Sequence, residues 1–368
     1  AAFVAAKNPA VLAFSKSVAS TARRSGSGTA TTEIRTAIGL FEALRVHGLG
    51  YVIDPATPYE KLAASDTAVD FLQFPQQTLA YRAGDCDDLS VVYAALLEAA
   101  GIKSAFVLVP GHVYVAFDTG LSPSAARRLF ASESDFVEID GAAWLPVEVT
   151  LVADGFMKAW RTGAREWREA ERDASLSYFE TRKAWELYEP VGIVDEGVAV
   201  SLPDPARVAK AYEAELAAFV ADQTAARVSE LNASLKAGKD PEGDLNRLGI
   251  LYAQFGVFDK ARAQFLEALK RRENPAALVN LGNIAYLEDK PREAVGWYER
   301  ALKVSPKSGV ALLGLARALY ELEDFTALGA AVARLKEASP ELAEKLALPG
   351  AGATTARASE SGEKEIES

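Results

Sequence analysis

Apolar residues recur at three- and four-residue spacing through Leu89, Val92, Tyr93, Leu96, Leu97 and Ala100, and Gly101 follows as a stop. This predicts a helix whose first turn holds Cys86. Downstream the period changes to two. Val113, Val115 and Phe117 alternate with His112, Tyr114 and Ala116, while Leu145, Val147 and Val149 lie opposite Trp144, Glu148 and Thr150. Strands are predicted near residues 103–109, 112–118, 135–140 and 143–151, the last two joined at Asp140-Gly141. They form an antiparallel meander packed on the Cys86 helix, an α+β layout with helices segregated to one side of a sheet. Residues 8–47 read as two helices around Arg24-Ser-Gly-Ser-Gly28, and Gly155 to Trp167 as a helix rich in aromatic residues. Trp160, Trp167 and Trp185 are either core or the walls of a groove, with core favoured.

A second pattern begins after Pro203-Asp-Pro205. Residues 206–236 carry a long helical pattern. From Pro241 a repeat appears: Leu248-Gly249, Tyr252, Ala261, Phe265 and Ala268 recur 33 residues later as Leu281-Gly282, Ala285, Ala294, Tyr298 and Ala301. A weaker third unit holds Leu315-Ala316, Leu335 and Pro340. Small residues let antiparallel helices approach while large ones fill between them, and this pattern resembles tetratricopeptide repeats. In that family stacked helix pairs leave a concave surface that receives a peptide. So short an array fits a second role equally well, as a brace against the first domain. The expected domains are 1–202 with the Cys86 helix and the meander, a linking helix over 203–240, repeats over 241–345 and a disordered tail over 346–368.

Composition limits the partners. With 51 acidic against 40 basic residues the formal charge is −11, which argues against a nucleic-acid or anionic membrane surface. The longest apolar run is far short of a membrane span, and nothing at the N-terminus reads as a signal peptide.

Cys86 is the one cysteine of 368 residues, so neither an internal disulfide nor a CxxC metal site is open to it. Packing and nucleophilic chemistry remain. A helix N-terminus favours a thiolate, through its unpaired N–H groups and the positive end of its dipole. Three neighbouring carboxylates, Asp85, Asp87 and Asp88, oppose this unless they cap backbone donors. Of the two histidines, His112 in Pro-Gly-His-Val is a better partner than His47, and Glu148 shares its strand phase.

Gly-Asp-Cys-Asp-Asp-Leu opening an apolar helix, then Pro-Gly-His-Val, then Trp-Leu-Pro-Val-Glu-Val-Thr, resembles the bacterial branch of the transglutaminase-like superfamily of papain-type cysteine enzymes. Phe71-Leu-Gln-Phe-Pro-Gln-Gln-Thr-Leu79 resembles the segment that leads into the cysteine there. The resemblance covers roughly residues 30–170. It implies a papain-like core with Cys86 as nucleophile, His112 as base and Glu148 where many relatives carry aspartate in a Trp-x-Pro-x-Asp-Pro-Thr pattern. The glutamate is one methylene longer, and Val149 replaces the family proline.

The implied chemistry is acyl transfer on a protein or peptide, as a peptidase or amidase, with deamidation of a glutamine side chain and cross-linking to a lysine amine left open. The oxyanion donors would be the Cys86 N–H and a side chain of the preceding segment, with Gln73 the first candidate and Gln76 and Gln77 alternatives. No cofactor is expected; Asp85, Asp87 and Asp88 are the weak candidates for calcium. The competing reading is an inactive domain that serves with the repeats as a protein-binding scaffold. The family sets the expected location at the periplasm or cell surface, slightly ahead of the cytoplasm.

Overall fold

The computed structural model describes residues 1–24, 31–53, 72–192 and 199–346. Phe71, most of the Arg24–Gly28 stretch and residues 347–368 of the expected tail lie outside the described residues. The chain forms two compact units that divide inside a long helix, the first running to Gln223 and the second continuing from Thr224.

The first unit is mixed α and β. Two helices, α1 (Pro9–Arg24) and α2 (Thr32–His47), open it. The Thr31 side chain caps α2 by accepting from the Ile34 N–H, and Gly48 ends it in the left-handed region at φ 88°. A two-residue strand β1 (Gly50–Tyr51) and helix α3 (Pro75–Tyr81) precede β2 (Ala83–Gly84) and helix α4 (Cys86–Ala99). Leu89, Val92, Tyr93 and Leu96 of α4 are fully buried, as the three- and four-residue spacing requires. The Tyr93 hydroxyl donates to the Ala37 carbonyl of α2 at 3.1 Å, which ties the two helices together.

The sheet follows: β3 (Ser104–Val109), β4 (His112–Asp118), helix α5 (Pro123–Leu129), β5 (Val137–Ile139) and β6 (Ala142–Val147). After helix α6 (Phe156–Arg172), strand β7 (Ser177–Glu180) completes it and a short helix α7 (Thr181–Trp185) follows. The strands run in the order β5-β6-β4-β3-β7, with every pairing antiparallel. Val109 pairs with His112 across Pro110-Gly111. Proline fixes its own φ and Gly111 takes φ 76°, the residue pair that a tight type II turn asks for.

Two expectations need correction. The strand expected over 143–151 ends at Val147, and Val149–Asp154 form a 3-10 turn. The Glu148 carboxylate takes the Thr150 N–H at 3.0 Å and the Thr150 hydroxyl at 2.5 Å, a local pairing that displaces the ladder. The strand expected over 135–140 is three residues long, because Glu133–Asp135 form another 3-10 turn. Trp160 and Trp167 are core, 0% and 3% exposed. The Trp160 indole N–H donates to the Asp135 carbonyl at 2.8 Å, so its polar edge is also satisfied.

Helix α8 (Pro205–Ala237) spans the division, and its Phe219 meets Phe130 edge-on and Trp160 at a tilt within the first unit. The second unit pairs α9 (Pro241–Gln254) with α10 (Phe258–Arg271), α11 (Pro275–Leu287) with α12 (Pro291–Val304), and α13 (Gly309–Glu321) with α14 (Phe325–Ala338). A short α15 (Pro340–Glu344) follows. The repeat spacing has a direct steric cause. A Cβ on Gly249 would enter the Phe265 ring, and one on Gly282 would lie 2.6 Å from Tyr298. Tyr298 also meets Gly314, where a Cβ would lie 2.5 Å away. Among the described residues no helix is long and apolar enough to cross a membrane.

Gly282→Ala sets two effects against each other. Alanine favours the helix by about 0.5–1 kcal/mol, whereas overpacking a filled site costs about 1–3 kcal/mol. The Tyr298 ring is 2% exposed and already meets both Gly282 and Gly314, so overpacking wins. Chemical denaturation followed by helical circular dichroism should show a less stable second unit; an unchanged or higher midpoint would refute this packing account.

Candidate active site

Cys86 is the first residue of α4, partly exposed, and its backbone N–H heads a turn whose donors lack intrahelical partners. Gly84 is required for this entry. A Cβ there would lie 2.5 Å from the Asp88 Cβ, an atom fixed to the helix itself. The three aspartates are largely spoken for by N–H donors. Asp85 caps the helix by accepting from the Asp88 N–H at 3.3 Å, and Asp87 accepts from the same group at 3.1 Å. Asp88 turns the other way, taking the Gln73 N–H at 2.7 Å and the Gln73 amide at 2.6 Å. Burial pushes its carboxyl up to about 6 even though the Gln73 bonds favour the anion.

Asp85, Asp87 and Asp88 do bring oxygens within 4.8 Å of one another, but as a capping network around N–H groups. Gln73 is similarly committed. Its amide donates to Asp88 and, at 3.4 Å, to the Ala83 carbonyl, so the side chain expected to serve an oxyanion instead fastens its segment to α4.

His112 begins β4 directly after the Pro110-Gly111 turn. The Ser90 hydroxyl, one turn beyond Cys86 on the same helix, donates to the Val113 carbonyl at 3.3 Å. That bond locks the helix carrying the cysteine to the strand carrying the histidine. The imidazole Nε2 meets the Glu148 Oε2 at 2.6 Å, which leaves Nδ1 as the ring nitrogen for the neighbouring thiol. Burial opposes a charge on His112, yet the adjoining Cys86 and Glu148 side chains outweigh it and raise the imidazolium pKa to about 10. Burial would likewise raise Glu148, but His112 and Thr150 hold its pKa below the usual carboxylate value. His47 plays no part here. It is buried and bonded to the Leu79 carbonyl at 2.7 Å, and burial lowers its pKa.

Two residues join this site that the sequence pattern did not mark. Tyr51 lies where β1 pairs in parallel with β2, Tyr51 against Gly84, and its phenol is raised first by burial and then by Cys86, Asp85, Glu148 and Asp87 around it. Glu166 of α6 brings a carboxylate oxygen within 4.8 Å of a His112 ring nitrogen and a Glu148 carboxylate oxygen. Neither contact follows from local periodicity. Each depends on segments that are distant in sequence, and Glu166 reads by spacing as an ordinary polar helix position.

Residues 246–309 and 288–343 match the tetratricopeptide repeat family model, so the helix pairs of the second unit are repeats of that kind. The match lies wholly within that unit. No curated protein matches the chain.

Glu148→Gln should show what raises the imidazolium. With the carboxylate charge removed, the His112 titration should fall from about 10 toward the ordinary 6.5, followed by NMR of histidine-labelled protein. Only two histidines need assignment. A midpoint that stays near 10 would show that Glu148 does not set it.

Proposed function

We propose that the first unit is a transglutaminase-like, papain-type cysteine enzyme that performs acyl transfer on a protein or peptide, as a peptidase or amidase. The observation that carries the reading is the 2.6 Å contact of His112 with Glu148 on the strand locked to the Cys86 helix. The tetratricopeptide repeats point to a protein-interaction role, and they would recruit the substrate or its carrier.

In this reading the proton shared by the Cys86 thiol and Nδ1 of His112 already rests on the imidazole before substrate arrives, and Glu148 stabilises that imidazolium. The thiolate attacks the carbonyl carbon of an amide, and the oxygen takes up negative charge facing the Cys86 N–H. His112 returns the proton to the leaving nitrogen as the C–N bond breaks, leaving a thioester on Cys86. Water, deprotonated by His112, then releases the acid and regenerates the thiol. The longer glutamate suits its position, because Glu148 stands after the end of β6 and reaches back to an imidazole near the hairpin turn.

The rate of Cys86 alkylation against pH tests the proposal. An activated thiol reacts well below the unperturbed cysteine pKa of about 8.5, and His112→Ala should abolish that reactivity. Ordinary thiol titration, unchanged by His112→Ala, would sink the enzyme reading and favour a protein-binding scaffold.

A further inference from the structure

The Glu148 carboxylate has a neighbour that the acyl-transfer chemistry leaves unused. Helix α6 crosses the end of β6 at very short range. A Cβ on Gly163 would lie 2.9 Å from the Pro146 carbonyl group and 3.0 Å from the Val147 nitrogen, so only glycine permits the approach. The Glu148 N–H donates to the Ala159 carbonyl of α6 at 3.1 Å, and the Tyr114 hydroxyl donates to the Gly163 carbonyl at 3.2 Å. One turn beyond Gly163, on the same helix face, stands Glu166.

We propose that Glu166 is a positioning residue that, as a neutral acid, donates a hydrogen bond to Glu148 and so completes the set of donors that hold Glu148 against His112. The other donors are already in place. Glu148 Oε2 engages His112, and Oε1 takes the Thr150 N–H and hydroxyl. The Glu166 Oε2 is buried without a donor, which suits an oxygen that carries the proton itself. Two carboxyl groups this close do not both ionise readily, and a shared proton relieves the repulsion.

The groups facing Glu166 are Glu148, His112, Tyr114 and Arg165. Burial and the Glu148 charge push its pKa up to about 7, against the opposing pull of His112 and Arg165. The Arg165 guanidinium stands 3.9 Å from Oε1 and is largely exposed, so it adds little. Below that pH Glu166 donates to Glu148. Above it the bond is lost and a second negative charge faces the imidazolium.

The positioning role rests on the Cys86, His112 and Glu148 reading above, whereas the carboxyl pair does not. Histidine-labelled protein separates the two. The wild-type His112 resonance should show a small inflection near pH 7 besides its main titration near 10, and Glu166→Gln, whose amide donates at every pH, should abolish the first and keep the second. The Cys86 alkylation profile should lose an inflection at the same pH. An inflection that persists in Glu166→Gln overturns the proposal. Cys86→Ala should retain the NMR inflection. An inert thiol with the inflection present therefore refutes the enzyme reading alone, and a reactive thiol without it refutes the Glu166 role alone.

Stability gives a second readout. The raised pKa means that the folded protein keeps a proton the unfolded chain releases above its ordinary 4.5. The wild type should lose stability relative to Glu166→Gln as pH rises from 4.5 to about 7. A Tm difference that does not move over this window, or that moves in favour of the wild type, overturns the carboxyl pair.

Discussion

A carboxylate at the end of β6, 3% exposed, is the constraint around which the first unit is arranged. A buried charge is tolerated only with partners, and breaking such a pair costs about 3–5 kcal/mol. Glu148 gathers His112 on one oxygen and Thr150 on the other, and these bonds end the strand, start the 3-10 turn and orient the imidazole. Two further restraints, the Pro110-Gly111 turn and the bond from Ser90 to Val113, bring the cysteine helix to the same place.

The arrangement also distributes negative charge. Asp88 is drawn toward Gln73 and Asp85 toward the helix N-terminus, so the acidic run around Cys86 serves to shape the segment before it. The same bonds commit the Gln73 amide to Asp88 and the Ala83 carbonyl. Tyr51, beside Gly84, stands next to the head of α4 and is 45% exposed. The second unit follows a different principle. Glycine in one helix faces an aromatic ring in its partner, Gly249 with Phe265 and Gly282 with Tyr298, and the contact recurs with the repeat.

Much of this was legible in residue order. The α4 helix, the β4 strand phase and the hairpin at Gly111 rest on contacts between residues close in sequence, where period and turn chemistry carry the signal. The side of Glu148 is legible from strand phase although β6 ends one residue earlier, since a side chain at a strand end still keeps the direction of its face. Strand β7 gave little warning. It is four residues long and forms an edge of the sheet, with Tyr178 and Phe179 partly exposed, so no alternation marks it. The parallel pairing of β1 with β2 joins residues more than 30 positions apart and lies beyond any local pattern.

Residue order by itself determined the helix that presents Cys86, the strand that presents His112, the acid in matching phase and the 33-residue repeat, because each is set by spacing within one element or by recurrence. Only the tertiary structure decided that Asp88 faces Gln73, that Tyr51 borders the cysteine and that Glu166 stands behind Glu148. Those contacts are made where separate elements cross at short range. The depth of a crossing depends on the side chains of both partners, as at Gly163 against Pro146, and no single stretch of sequence contains both.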